Sequence, residues 1–294
     1  MGLFQSGYEK FEKRLPNDAG KVFVITGTTS GIGFIAAETV LNKSLSESVE
    51  SFEKLKGLNV TYKILHLSAI KVTLGCKAIY CLSNNAEILA ADVTITEDEN
   101  EIQMQTNHLS HFLLTNELFP LIFAGSKEHG DARIVQHSSA ARHMTPKNGS
   151  EETYFLKKER DGLLGGNDGD TGLMKGGRWY RYFQTKLAAS VSMRCLHDKL
   201  VAASERNEAC KNVTSLRAHP GVARTSIWDD LHEGGFIVHK IIPLFIRMMD
   251  SKENVKCGTL YGPRRGLMGK TANPNRPTAY EISPEAKVML WRTS

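Results

Sequence analysis

Short apolar runs alternate with longer stretches of helical periodicity along the chain. Val22 to Thr26 is apolar and β-branched, the pattern of a buried strand. A Gly-rich turn follows at once, then an Ala-rich helical stretch from Ile32 to Leu41. Ser46 to Lys56 reads as a polar-faced helix, ended by Gly57 and Asn59, and Val60 to Leu65 as a strand. Ile79 to Leu82 is another short apolar run. Asp98 to Leu118 has helical spacing, with Ile102, Leu109, Phe112, Leu113 and Leu118 facing inward, and Pro120 interrupts or bends it. Arg133 to Gln136 predicts a strand ending at His137-Ser138-Ser139. Tyr182 to Leu200 predicts a long helix without Gly or Pro, and Val213 to Ala218 a strand ending at His219-Pro220-Gly221. Strands and helices in alternation predict an α/β fold with a parallel sheet covered on both faces.

The segment at about 144–178 breaks this rhythm. It is rich in Gly and charge, contains GLLGGNDGDTGLMKGG, and reads as a surface insertion within one domain. A chain of 294 residues fits one large α/β domain, and 41% hydrophobic with 23% charged residues is ordinary globular composition. The net charge of +5 is scattered along the chain, which argues against a nucleic-acid partner. The five cysteines include no CxxC pair, so reduced thiols and a cytoplasmic setting are expected, with no metal site. No apolar run reaches the roughly 18 residues of a membrane span. Gly2 and Ser6 fit the short myristoylation pattern, which leaves peripheral membrane contact open.

Two constellations carry chemistry. Thr26-Gly27-Thr28-Thr29-Ser30-Gly31-Ile32-Gly33 joins a strand to a helix. Glycines there expose backbone N–H groups at a helix N-terminus, as a dinucleotide pyrophosphate requires. Tyr182 and Lys186 are four residues apart on a predicted helix, so phenol and ammonium share a face. A cation beside a phenol favours the phenolate and makes it a usable acid/base. Ser139 lies at a strand end, where α/β sheets place their chemistry.

These residues, in this order, resemble the short-chain dehydrogenase/reductase family from Lys21 to about Thr225, and most of all its retinol-dehydrogenase-like branch. Asn84-Asn85-Ala86 is similar to the start of its Asn-Asn-Ala-Gly motif, and Thr106 to Thr115 to the helix with its catalytic Asn. Pro220 to Thr225 resembles its Pro-Gly motif, with a looser match at Tyr261-Gly262-Pro263. The resemblance implies a Rossmann-type, three-layer, doubly wound single domain over 1–294 that binds NADP(H) or NAD(H), with NADP(H) weakly favoured. It implies that Tyr182 exchanges a proton with the substrate oxygen and that Lys186 lowers the Tyr182 pKa and holds the nicotinamide ribose. Ser139 would bond the substrate oxygen, and Asn107 would anchor a water leading to Lys186. Gly27, Thr29, Ser30, Gly31, Ile32, Gly33, Asn84, Ala86, Pro220, Gly221 and Thr225 complete the cofactor contacts. The implied partner is a small alcohol or carbonyl, lipophilic in class, and a homo-oligomer is left open.

The chain departs from that pattern in four respects. Glu87 stands where the family has Gly, so it either crowds the cofactor and repels its phosphates or turns outward. His66 replaces an Asp at the adenine end, and Ser110 a Gly. Leu65 also comes only 32 positions after Gly33, where the rest of a helix, a strand, another helix and a further strand need roughly 45. The second strand is therefore expected to be missing, with Val60 to Leu65 pairing directly beside Val22 to Thr26. The alternative reading is a catalytically impaired member acting as a cofactor-sensing or scaffold protein.

Overall fold

Among the described residues, five parallel strands and one antiparallel strand form a single sheet, in spatial order β1-β2-β3-β4-β5-β6. The computed structural model describes residues 18, 20–28, 31–44, 76–145, 176–219, 259–265, 268–275 and 279–294. The strands are β1 (Phe23–Ile25), β2 (Cys81–Asn84), β3 (Ala132–His137), β4 (Val213–Ala218), β5 (Thr259–Arg265) and β6 (Met268–Asn275). Val24 pairs with Leu82, Leu82 with Ile134, and Ile134 with Ser215. Every position of β2, β3 and β4 is buried, so both faces of the sheet's centre are covered. The predicted strands fall in place at 22–26, 79–82, 133–136 and 213–218, shifted by two residues at most. The antiparallel β6 carries no apolar alternation and was not foreseen. The expected strand at 60–65, the insertion at 146–175 and the apolar run at 236–249 lie outside the described residues.

Helix α1 (Gly31–Ser44) leaves the Gly-rich turn directly. Helix α2 (Ile102–Met104) runs through a π-helical turn at Gln105–Leu109 into α3 (Ser110–His129). The π turn accommodates one extra residue and so rotates the buried face. Asn107, His108, His111, Leu114, Leu118 and Ile122 point inward, while Leu113, expected inside, is 47% exposed. Pro120 does not stop the helix. Pro120 and Asn116, four residues before it, both face solvent, so water can take the carbonyl that loses its partner. Gly130, with φ +69°, ends α3 in the left-handed conformation.

Helix α4 (Gly177–Ser204) is nearly all buried through its first half, including Arg181, Gln184 and Lys186. It shares a core with α3 and the strands: Leu114, Leu118 and Ile122 meet Ile134, Met193, Leu196 and Leu200. The short α5 (Ala279–Ile282) and α6 (Pro284–Thr293) pack on α4 through Leu290.

Candidate active site

Tyr182 and Lys186 stand one turn apart on α4, facing the end of β3. The Lys186 ammonium lies 5.4 Å from the centre of the Tyr182 ring. Ser139 is extended and caps a 3₁₀ turn at Ala140–Met144, its Oγ accepting the Ala141 N–H at 3.1 Å. Its hydroxyl is hydrogen-bonded to Tyr182. Ser138 points elsewhere and donates to the Lys186 carbonyl at 2.9 Å, which ties β3 to α4.

Asn107 sits in the π turn and clamps two elements. Its Oδ1 accepts the Ile88 N–H and its Nδ2 donates to the Ile88 carbonyl, both at 2.9 Å. The same Nδ2 donates to Thr185 Oγ1 at 3.2 Å, and Thr185 donates to the Tyr182 carbonyl at 2.8 Å. Asn107 thus fixes the loop after β2 against α4, between Tyr182 and Lys186. The Asn107 carbonyl faces His111 Nδ1 at 3.4 Å.

The hydrogen bonds of Thr26 fix the His111 tautomer. Thr26 Oγ1 accepts the N–H groups of Asn85 and Ala86, each at 2.9 Å, so its proton is directed to His111 Nε2 at 2.9 Å. Nδ1 then carries the ring proton and donates to Asn107. Burial pushes His111 down to about 4; the bond to Asn107 opposes this and Lys186 adds to it.

The Gly-rich turn folds onto the end of β2. Asn85 Nδ2 donates to the carbonyls of Thr26 and Gly27 at 3.0 and 3.3 Å. A Cβ on Gly27 would stand 2.7 Å from the Ala86 Cα, and one on Gly33 2.2 Å from the Gly27 carbonyl oxygen. Only glycine permits either approach. Gly31 opens α1 and Ile32 is half-buried behind it. Asn84 is buried and donates to Thr115 at 2.9 Å, so its side chain serves sheet–helix packing. Thr29, Ser30, Pro220, Gly221 and Thr225 lie outside the described residues.

Glu87 turns inward. Its carboxylate pairs with the Lys186 ammonium, with Lys186 at 2% exposure and Glu87 at 26%. This has a consequence for Tyr182. Burial raises its pKa well above the usual 10, the Glu87 charge raises it further, and the Ser139 hydrogen bond lowers it. Burial, the largest cause, and Glu87 outweigh the Ser139 bond, so the net direction for Tyr182 is upward.

A buried network braces the site from the C-terminal side. Glu281 on α5 accepts from Arg217 Nη1 on β4 at 2.8 Å and from Ser190 on α4, and lies 3.5 Å from Arg142 Nε. Arg142 in turn donates to the Ser139 carbonyl at 3.0 Å. Burial lowers the pKa of Arg217 to about 10, with Glu281 opposing. Removing one partner of a buried pair leaves an uncompensated charge. Glu281→Ala is therefore expected to cost about 3–5 kcal/mol, read as a lower urea midpoint, while Glu281→Gln retains part of the loss. An unchanged midpoint in both variants would refute this account. Periodicity gave no sign of Glu281, because its significance depends on a contact with a distant strand.

Fold and motif order define the class: a Rossmann-type α/β protein with an Asn, Ser, Tyr and Lys cluster at the strand ends. No family model matches the chain. The chain is 28% identical over 296 residues to short-chain dehydrogenase TIC 32 B, chloroplastic, of Brassica napus, covering 91% of this chain and 85% of that one. It is 29% identical over 230 residues to retinol dehydrogenase 12 of Bos taurus, covering 71% and 63%. An uncharacterized oxidoreductase of Schizosaccharomyces pombe is 27% identical over 236 residues, covering 72% and 63%. The chain thus spans slightly under two thirds of the last two. Among solved structures, an uncharacterized protein from Mycobacterium paratuberculosis shares the fold with a TM-score of 0.67 at 23% identity, covering 96% and 94%. A short-chain dehydrogenase from Shigella flexneri, complexed with NADP, has a TM-score of 0.54 at 18% identity, covering 84% and 99%. The chain is thus similar, at 27–29% identity, to proteins named as short-chain dehydrogenases, retinol dehydrogenase and oxidoreductase. No helix among the described residues is long and apolar enough to cross a membrane.

Proposed function

We propose that the chain is an NAD(P)-dependent oxidoreductase that interconverts a lipophilic alcohol and its carbonyl, with Tyr182 as the acid/base. The observation that carries this reading is the half-buried Ser139 hydroxyl bonded to the buried Tyr182, beside Lys186 and clamped by Asn107. The Gly27 and Gly33 approaches form a turn that no side chain could occupy, which fits a dinucleotide held against the start of α1. The whole of 1–294 then acts as one dinucleotide-binding catalytic domain. The NADP of the Shigella flexneri protein makes NADP(H) the first form to test.

When bound, the nicotinamide ring supplies or accepts the hydride. The chain's own residues position and polarise. The Ser139 hydroxyl bonds the substrate oxygen, and Tyr182 Oη gives that oxygen a proton in reduction or takes it in oxidation. Lys186 Nζ is the donor for the nicotinamide ribose. Asn107 holds the loop after β2 in register with α4, so that the three groups keep their spacing.

Titrating the purified protein with NADPH and with NADH, followed by nicotinamide fluorescence, tests the reading. Saturable binding of at least one is expected, and binding of neither would remove it. The Glu87–Lys186 ion pair favours a second reading, a catalytically impaired member serving as a scaffold or cofactor-sensing protein. That reading requires a bound dinucleotide without turnover, or no bound dinucleotide.

A further inference from the structure

We propose that Glu87 is an affinity-determining latch: its carboxylate holds the Lys186 ammonium and must release it before that ammonium can bond a hydroxyl of a dinucleotide. The inference rests on the dinucleotide reading above and goes beyond it by giving the Glu87 carboxylate a function of its own.

Three observations carry it. First, the carboxylate and the ammonium are in direct contact, and among the described residues Glu87 is the acid paired with Lys186. Second, the position is built. The Ala86 N–H before Glu87 is held by Thr26 Oγ1, and both backbone groups of Ile88 after it are held by Asn107. The backbone at Glu87 is therefore fixed on either side, and the carboxylate can leave only by side-chain rotation. Third, the two partners differ in freedom. Lys186 is enclosed at 2% exposure, while Glu87 retains 26%, a route to water for a released carboxylate. The acid moves and the ammonium stays.

A ribose hydroxyl that needs the Lys186 ammonium must displace the Glu87 carboxylate from it, so the ion pair opposes a nicotinamide dinucleotide at that contact. Glu87→Gln removes the charge at nearly constant volume, and Glu87→Gly removes the side chain.

The test titrates the full chain and both variants with NADPH by nicotinamide fluorescence. In parallel, calorimetry follows 2′,5′-ADP, which lacks the nicotinamide ribose. Both variants are expected to bind NADPH about tenfold or more tightly than the wild type. Affinity for 2′,5′-ADP is expected to change by less than about threefold, because that ligand makes no demand on Lys186. Equal or weaker NADPH affinity in Glu87→Gln overturns the latch while leaving dinucleotide binding intact. A gain of equal size for 2′,5′-ADP overturns it too, by showing a general charge effect. If none of the three proteins binds NADPH, the dinucleotide reading fails and the latch fails with it.

Discussion

Lowering the pH from 7 to 5 is expected to unfold the protein, with a midpoint between pH 5 and 6. Four histidines are buried in a form that burial keeps neutral. Burial is the main cause in each case and lowers His108, His137 and His219 to about 3 and His111 to about 4. Neighbouring charge adds to it: His111 acts on His108, Lys186 and then His111 on His137, and Arg142 and His143 on His219. The unfolded chain binds these protons near pH 6.5. A folded pKa below the unfolded one means that stability is fully present above about 6.5 and is lost as pH falls toward 3–4. By pH 5 each histidine contributes a loss of about 2 kcal/mol. Together the four then approach the about 5–15 kcal/mol by which a domain is stable at all. Far-UV circular dichroism and tryptophan fluorescence along a pH titration measure the transition. Replacing His108 with Gln should move the midpoint to lower pH. A wild-type midpoint below pH 4 would mean that these histidines accept protons in place.

Some of the fold was legible because local pattern and tertiary demand agree. β3 is apolar and β-branched at its centre, Ile134 and Val135, and leads directly into Ser138-Ser139. The order of motifs likewise placed Ser139, Tyr182 and Lys186 on elements that converge. The phase of α2 and α3 was not legible. A reading with a constant period from Ile102 put Leu113 inside, whereas the π turn at Gln105–Leu109 rotates it out and brings His108 and His111 in. A sequence contains no local signal for one extra residue in a turn; Asn107 and its clamp on Ile88 reveal it only in three dimensions. Buried polar positions were missed for a related reason. Arg133 and Arg217 look like solvent-facing residues in a strand, yet each is enclosed by a carboxylate, Asp131 or Glu281. Charge burial depends on the partner, and Glu281 lies 64 residues beyond Arg217. Glu87 was legible as an anomaly but its direction was not, since a side chain in a loop can turn either way until its neighbours are placed.

Tyr182→Phe is expected to lower turnover by about 10²–10⁴-fold while leaving NADPH affinity within about twofold. The substitution removes one hydroxyl from a ring that otherwise packs against Trp179 and Phe183, so the fold keeps its contacts. The pH dependence separates proton transfer from a packing effect. Burial and then the Glu87 charge hold the Tyr182 hydroxyl protonated well above pH 10, against the lowering by Ser139. A protonated phenol is ready to donate, so carbonyl reduction should proceed with Tyr182 in its working form throughout the neutral range. Alcohol oxidation needs the phenolate and should rise with pH into the alkaline range. Glu87→Gln removes one of the two raising causes and should move the oxidation limb to lower pH, leaving the neutral plateau of reduction in place. Steady-state rates in both directions between pH 6 and 10 test this, alongside thermal melting to confirm that the variants are folded. Turnover in Tyr182→Phe equal to wild type would remove Tyr182 from its acid/base role. An oxidation limb unmoved in Glu87→Gln would show that the carboxylate does not act on the phenol, whatever its effect on cofactor affinity.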